Sequence, residues 1–183
     1  MRRIANTYKV LIFIVAAFIA FNYSSTAAQN RSANKIDEKD FMNFWVGKWN
    51  LTWKNPDGST SKGINNVKKI LNSHVVQENL KVLTGPIAGF TGISVSVYSP
   101  NEKLWHQTWV DNNGGYLDFV GKMENDKRIF FRYFVNSNHQ EIIQRMVFYN
   151  IKKNSFDWDW MISNNEGKTW QVKWRIHYSR SKY

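Results

Sequence analysis

The stretch Phe156-Asp157-Trp158-Asp159-Trp160-Met161-Ile162 alternates large apolar and acidic side chains almost without a break. Successive side chains of a strand point to opposite faces of a sheet, so this period of two predicts a strand with one apolar face. The next apolar run keeps the same period, with polar residues between its members. We expect these residues of that run to point inward: Trp170, Val172, Trp174, Ile176 and Tyr178.

Turn signals divide the rest of the chain into short strands. Asn55-Pro56-Asp57-Gly58 and Asn112-Asn113-Gly114-Gly115 contain the Pro and Gly residues that tight turns require. Working outward from such turns, we predict ten strands at residues 48–54, 59–71, 74–83, 90–99, 103–111, 116–124, 128–136, 141–152, 156–162 and 168–179.

The strand pattern predicts an all-β fold, a single up-and-down antiparallel β-barrel of about ten strands. Consecutive hairpins favour a barrel over a sandwich because closure removes exposed edges. One short helix precedes the first strand, at Asp37 to Val46, where Phe41, Phe44 and Trp45 follow the i, i+3, i+4 spacing.

The hairpin of the fourth and fifth strands turns at Ser99-Pro100-Asn101-Glu102. Pairing Tyr98 with Lys103 sets the small residues Gly92, Ser94 and Ser96 opposite Trp109, Gln107 and Trp105. Small residues facing large rings are typical of a lined interior.

The N-terminus has the pattern of a secretory signal peptide. Arg2, Arg3 and Lys9 precede an apolar run from Val10 to Phe21, and small residues ending at Ala28 follow. Twelve apolar residues span about 18 Å as a helix, short of the roughly 30 Å of a bilayer core. We therefore predict a signal peptide at 1–28, a flexible tether at 29–36 and the barrel domain at 37–183. The mature protein is expected to be periplasmic or secreted, with no stable membrane span.

Composition narrows the possible functions. The chain has no Cys, which excludes disulfides, thiolate metal sites and a Cys nucleophile. Loss of three basic residues with the signal lowers the net charge from +11 to +8. The Lys and Arg residues are scattered rather than clustered, so we expect no specific nucleic-acid site.

Several short motifs resemble one known superfamily. They are Phe44-x-x-Gly47-x-Trp49, Gly89-Phe90-x-Gly92, Tyr98-Ser99-Pro100, Trp109-Val110-Asp111 and Gly167-Lys168-Thr169-Trp170. Together they resemble the calycin superfamily of lipocalins, and more closely a family of uncharacterised, mostly bacterial lipocalin-like domains. Ser99 departs from that pattern, since relatives commonly carry Asp there. The resemblance implies that Trp49 closes one barrel end and stacks with Arg175 or Arg180.

Glu78 is the most informative carboxylate of the predicted interior. It shares a strand face with Val76, Leu80 and Val82. A carboxylate among apolar side chains is either paired, for example with Arg145 or Arg132, or a polar contact inside a cavity.

Aromatic residues and a few polar ones from the other predicted strands complete the candidate site. The predicted ligand-binding residues are Glu78, Tyr98, Trp105, Trp109, Asp111, Arg145, Trp158, Trp160 and Trp174. No metal or cofactor is predicted: the four His residues lack metal-ligand spacing, and His177 alternates with the inward Trp face, which argues against haem.

Three functions remain open at this stage. The favoured one is an exported barrel that binds a small apolar or amphipathic molecule. The second is a barrel enzyme, an isomerase, cyclase or hydrolase, with Glu78 or Asp111 as acid or base. The third is a packed barrel that serves as an interaction module. The oligomeric state stays open, and the volume of the interior separates the third function from the others.

Overall fold

A computed structural model describes residues 37–182 of the chain. These residues form ten antiparallel strands closed into a barrel, in which each strand pairs with its neighbours in sequence and β1 pairs with β10. The strands are β1 Gly47–Lys54, β2 Thr60–Ile70, β3 Val75–Val82, β4 Thr91–Ser99, β5 Leu104–Asp111, β6 Tyr116–Glu124, β7 Lys127–Val135, β8 Glu141–Tyr149, β9 Ser155–Ser163 and β10 Gln171–Arg180. The predicted up-and-down barrel is confirmed.

The segments predicted as signal peptide (1–28) and tether (29–36) lie outside the described residues. No helix within residues 37–182 is long and apolar enough to cross a membrane.

The predicted N-terminal helical segment is present as two consecutive 3-10 turns, Glu38–Asp40 and Asn43–Trp45. The Asp37 side chain caps the first turn by accepting a hydrogen bond from the Lys39 backbone N–H at 3.2 Å. Phe41, Met42 and Trp45 are almost completely buried. The two turns thus close one end of the barrel with apolar side chains.

Arg180 at the end of β10 locks this closed end. Its guanidinium lies 4.1 Å from the centre of the Trp49 ring. Its three nitrogens donate hydrogen bonds to the backbone carbonyls of Phe44, Val46 and Lys153 at 3.1 to 3.2 Å. Of the two expected arginines, Arg180 is the partner of Trp49.

The β4–β5 hairpin differs from its predicted register by two residues. Tyr98 pairs with Trp105 rather than Lys103, and Ser94 pairs with Trp109. The reason is the loop, since Lys103 takes a left-handed conformation (φ 56°) and donates its N–H to the Ser99 carbonyl at 2.8 Å. A shift of two preserves parity, so the predicted faces are unchanged.

β10 contains a bulge, and because of it part of the predicted inner lining lies on the outer face. Its pairing with β9 shifts between Val172 and Trp174, which leaves Lys173 as an extra residue. Trp174, Ile176 and Tyr178 keep the inward parity. The prediction that Trp170 and Val172 also point inward is wrong, because the extra residue reverses the alternation: Val172 is 40% exposed.

Candidate ligand cavity

The barrel interior contains a cavity of about 240 Å³. Nine of its fifteen lining residues are aromatic: Trp45, Phe90, Trp109, Phe119, Phe148, Trp158, Trp160, Trp174 and Tyr178. Phe90, Asp111 and Trp174 are partly exposed, whereas Trp45 and Tyr178 are buried. The cavity therefore opens toward the barrel end that lies away from the 3-10 turns.

Six of the nine predicted site residues line this cavity. They are Glu78, Trp109, Asp111, Trp158, Trp160 and Trp174. Three do not: Tyr98, Trp105 and Arg145.

Glu78 is buried at the polar side of the cavity, with 5% of its surface exposed. Its Oε1 accepts a hydrogen bond from Asn65 Nδ2 at 2.6 Å, and its Oε2 accepts one from the Ser94 hydroxyl at 2.7 Å. Burial raises the pKa of Glu78 to about 7, against the opposing effect of the hydrogen bonds from Ser94 and Asn65. This carboxyl is therefore poised between its neutral and ionised forms near neutral pH.

Neither arginine considered as a partner of Glu78 reaches it. Arg132 donates from Nη1 to Gln144 Oε1 at 2.9 Å. Arg145 stacks on Trp170, with its guanidinium 3.7 Å from the ring centre. Of the two alternatives for Glu78, the structure shows the polar contact inside a cavity.

A ladder of small polar side chains on β4 and β5 supports the Glu78 carboxyl. Gln107 Nε2 donates to Ser96 Oγ at 2.9 Å and to Ser94 Oγ at 3.3 Å. Since Ser94 Oγ accepts from Gln107, its own proton is free to bond to Glu78. The sequence reasoning missed Asn65 as the partner of Glu78, although Asn65 shares the buried parity of β2 with Gly63 and Val67.

Asp111 holds Trp109 in place at the mouth of the cavity. Its Oδ2 accepts from Trp109 Nε1 at 3.0 Å, and its Oδ1 accepts from the backbone N–H groups of Asn113 and Gly115 at 2.9 Å. Burial pushes the pKa of Asp111 upward, but these hydrogen bonds outweigh it, so the pKa lies below its ordinary value. A Cβ on residue 92 would overlap the Trp109 ring, so the ring can lie there only because residue 92 is glycine.

Tyr98 and Trp105 belong to the closed end of the barrel instead. Trp105 Nε1 donates to the Glu38 carbonyl at 2.7 Å, and the Tyr98 hydroxyl donates to Glu38 Oε2 at 3.3 Å. Trp105 also packs against Phe41, with ring centroids 5.0 Å apart. Both side chains anchor the first 3-10 turn to the barrel.

Arg145 lies on the outer face, which corrects its expected inward position. Met146 and Phe148 carry the inward parity of β8, and Arg145 has the opposite one. There it shares a surface groove with Asp159 and Arg175. Arg175 binds Asp159 through two hydrogen bonds of 2.8 and 2.7 Å.

No cluster of three metal-ligating side chains occurs within residues 37–182. His177 lies on the outer face, where its Nδ1 contacts Asp157 Oδ1 at 2.8 Å. Its outward position agrees with the alternation of β10.

Of the comparisons with known proteins, only the one with solved structures finds similarity. No family model matches the chain, and no curated protein matches it. Among solved structures, a redesigned β-barrel is similar to it at 11% sequence identity and a TM-score of 0.40, covering 76% of this chain and 94% of that one.

Proposed function

We propose that this chain is an exported, lipocalin-like barrel that binds one compact, amphipathic molecule in its aromatic interior. The observation that carries this proposal is the cavity of about 240 Å³, whose walls combine aromatic rings with one buried carboxyl. An apolar wall with a few convergent polar groups is the usual composition of a small-molecule site.

The volume of the cavity limits the size of the ligand. An engineered apolar cavity of about 150 Å³ holds benzene. Sites for drug-sized molecules begin at roughly 300 Å³. A cavity of about 240 Å³ therefore matches a molecule of one or two rings rather than a long-chain lipid.

Two unpaired donors favour an amphipathic ligand over a purely apolar one. Within the described residues, the indole N–H groups of Trp45 and Trp174 are buried and have no hydrogen-bond partner. Both residues line the cavity. A ligand oxygen placed near either group would satisfy a donor that is otherwise costly to bury.

Two sequence features support the exported, lipocalin-like part of the proposal. The basic, apolar and small-residue segments that end at Ala28 have the order of a secretory signal. The Gly47-x-Trp49 motif begins β1, and Arg180 stacks on Trp49, as the lipocalin resemblance implies.

Glu78 is also the group that the enzymatic alternative requires. A pKa of about 7 suits a general acid or base. Asp111 has a lowered pKa and is engaged by three hydrogen bonds. Burial raises the pKa of the Tyr178 hydroxyl. With one lining group able to exchange a proton near neutral pH, binding is the better-supported function.

Calorimetric titration of the purified mature protein tests the proposal. We expect indole to bind and palmitate and haem not to bind. Leu117→Phe narrows the cavity and should weaken indole binding, whereas Leu83→Phe makes the same exchange at an exposed position outside it. The absence of indole binding, or equal binding by both variants, would contradict a cavity site.

A further inference from the structure

We propose that the ligand is a compact organic cation, an arylalkylamine whose ammonium group binds the Glu78 carboxylate between the tryptophan faces. This inference rests on the proposed function and names the chemical class that the same cavity selects.

The hydrogen bonds around Glu78 favour its ionised form as the binding partner. Asn65 and Ser94 each donate to a different carboxyl oxygen. Ser94 is directed toward Glu78 because its own oxygen accepts from Gln107. Two donors aimed at both oxygens stabilise a carboxylate, which still has lone pairs for a further donor.

The cavity offers no protein cation to neutralise that carboxylate. None of the described residues that line it is Lys, Arg or His, and its other titratable groups are Asp111 and Tyr178. Lys81 on the same strand as Glu78 and Lys62, Lys68 and Lys69 on β2 are all exposed, and β4 has no basic residue. A buried carboxylate without a counter-charge is costly, and a ligand ammonium would supply that charge.

The aromatic walls of the cavity also favour a positively charged ligand. Trp158 and Trp174 meet edge to face at 87° with centroids 5.9 Å apart. Phe119 and Trp160 do the same at 82° and 5.8 Å. The negative faces of such rings attract cations, and aromatic cages recognise ammonium groups in this way.

The amide that supports the carboxyl has an unpaired acceptor of its own. Within the described residues, Asn65 Oδ1 is buried and has no hydrogen-bond partner. An ammonium group has several donor hydrogens and no acceptor, so it complements the Glu78 carboxylate that lines the cavity. An anionic ligand would meet the Glu78 carboxylate and no basic residue in the lining, with the neutral indole N–H groups of Trp45 and Trp174 as unpaired donors.

The test compares three probes of one shape on the mature protein: 2-phenylethylamine, 2-phenylethanol and phenylacetate. At pH 8 we expect the amine to bind at least about tenfold more tightly than the alcohol, because its ammonium forms a charge-assisted hydrogen bond with the carboxylate and contacts the ring faces. Phenylacetate should bind most weakly. Glu78→Gln keeps the shape of the side chain and should reduce amine affinity to that of the alcohol. The control Glu124→Gln removes a charge from the outer groove and should change neither affinity.

The pH dependence of the unmodified protein gives a second readout that needs no variant. Below the pKa of Glu78, amine binding must release the carboxyl proton, so affinity should rise about tenfold per pH unit and level off above it. Alcohol binding should change little. Calorimetry in two buffers of different ionisation enthalpy should detect the released proton at pH 6.

The outcomes separate this inference from the proposed function. Alcohol binding as tight as amine binding overturns the cation inference and leaves the cavity site standing. An amine preference that persists in a folded Glu78→Gln variant, or an amine affinity that is flat from pH 5.5 to 8, removes Glu78 as the recognition group. Failure of all three probes and of indole overturns the proposed function and the inference with it.

Discussion

Asn65 on β2 and Glu78 on β3 are diagonal neighbours, since Asn65 pairs with Leu80 and Glu78 with Val67, and Asn65 Nδ2 donates a 2.6 Å hydrogen bond to Glu78 Oε1 inside the barrel. The bond joins a neutral amide to a carboxyl that has no cationic partner. Burial therefore dominates, and it raises the pKa of this carboxyl to about 7 from an ordinary value of 4.5.

Glu78 should make the stability of the protein depend on pH. Since its folded pKa is raised, the folded state binds the proton more tightly than the unfolded state. Its contribution is full below about pH 4.5 and is lost as pH rises through about 7, a difference of about 3 kcal/mol in the free energy of unfolding.

Urea denaturation at pH 4.5, 6 and 8 measures this contribution. The Glu78→Gln variant has no proton to exchange there, so the wild-type minus variant difference isolates Glu78 from other carboxyls. A difference that is constant from pH 4.5 to 8, or that moves in favour of the wild type at pH 8, contradicts the assignment.

Gly92→Ala should displace Trp109 from the cavity mouth. A Cβ at this position overlaps the indole ring, and overpacking of this kind costs about 1–3 kcal/mol. We expect lower stability, weaker ligand binding and a changed tryptophan emission. Val95→Ile adds a methylene to the outer face of the same strand and serves as the control; an unaltered Gly92→Ala protein would show that Trp109 lies elsewhere.

Arg180→Lys should loosen the closed end although it preserves the charge. Lysine cannot reproduce hydrogen bonds to three carbonyls together with stacking on Trp49. We expect a loss of about 1–3 kcal/mol in thermal or urea unfolding. Lys182→Arg makes the reverse exchange at an exposed position and should be neutral. Equal stability of the two variants would mean that Arg180 does not hold the turns.

Trp170 and Trp160 should respond differently to truncation. Trp160→Leu removes a cavity wall and should weaken indole binding, whereas Trp170→Leu affects the outer-face stack with Arg145 and should leave it unchanged. Calorimetric titration of both variants checks this contrast. Loss of binding in Trp170→Leu would place that ring inside the barrel and contradict the bulge at Lys173.

These contrasts show where sequence patterns stop being informative. Parity alone placed Glu78, Trp109, Trp158 and Trp160 toward the interior, because strand alternation is local. The inward positions assigned to Trp170 and Arg145 were wrong for different reasons. A bulge adds one residue without a marked sequence signal, and Arg145 was assigned from charge complementarity to Glu78 rather than from parity.

The sequence also could not predict at which level of the barrel each inward-facing side chain lies. Trp105 and Tyr98 have the inward parity, yet they pack on the 3-10 turns below the cavity. Their role depends on where Glu38 and Phe41 lie, some sixty residues earlier in the chain. Asn65 was missed because the buried parity that it shares with its strand neighbours does not show which side chain it contacts.

A crystal structure of the mature protein soaked with 2-phenylethylamine tests the central claim most directly. The account predicts one molecule inside the barrel, its ring among Trp109, Trp158 and Trp160, and its nitrogen about 3 Å from a Glu78 carboxyl oxygen. An interior filled by repositioned tryptophan rings, or an amine bound only on the outer face near Asp159, would contradict it.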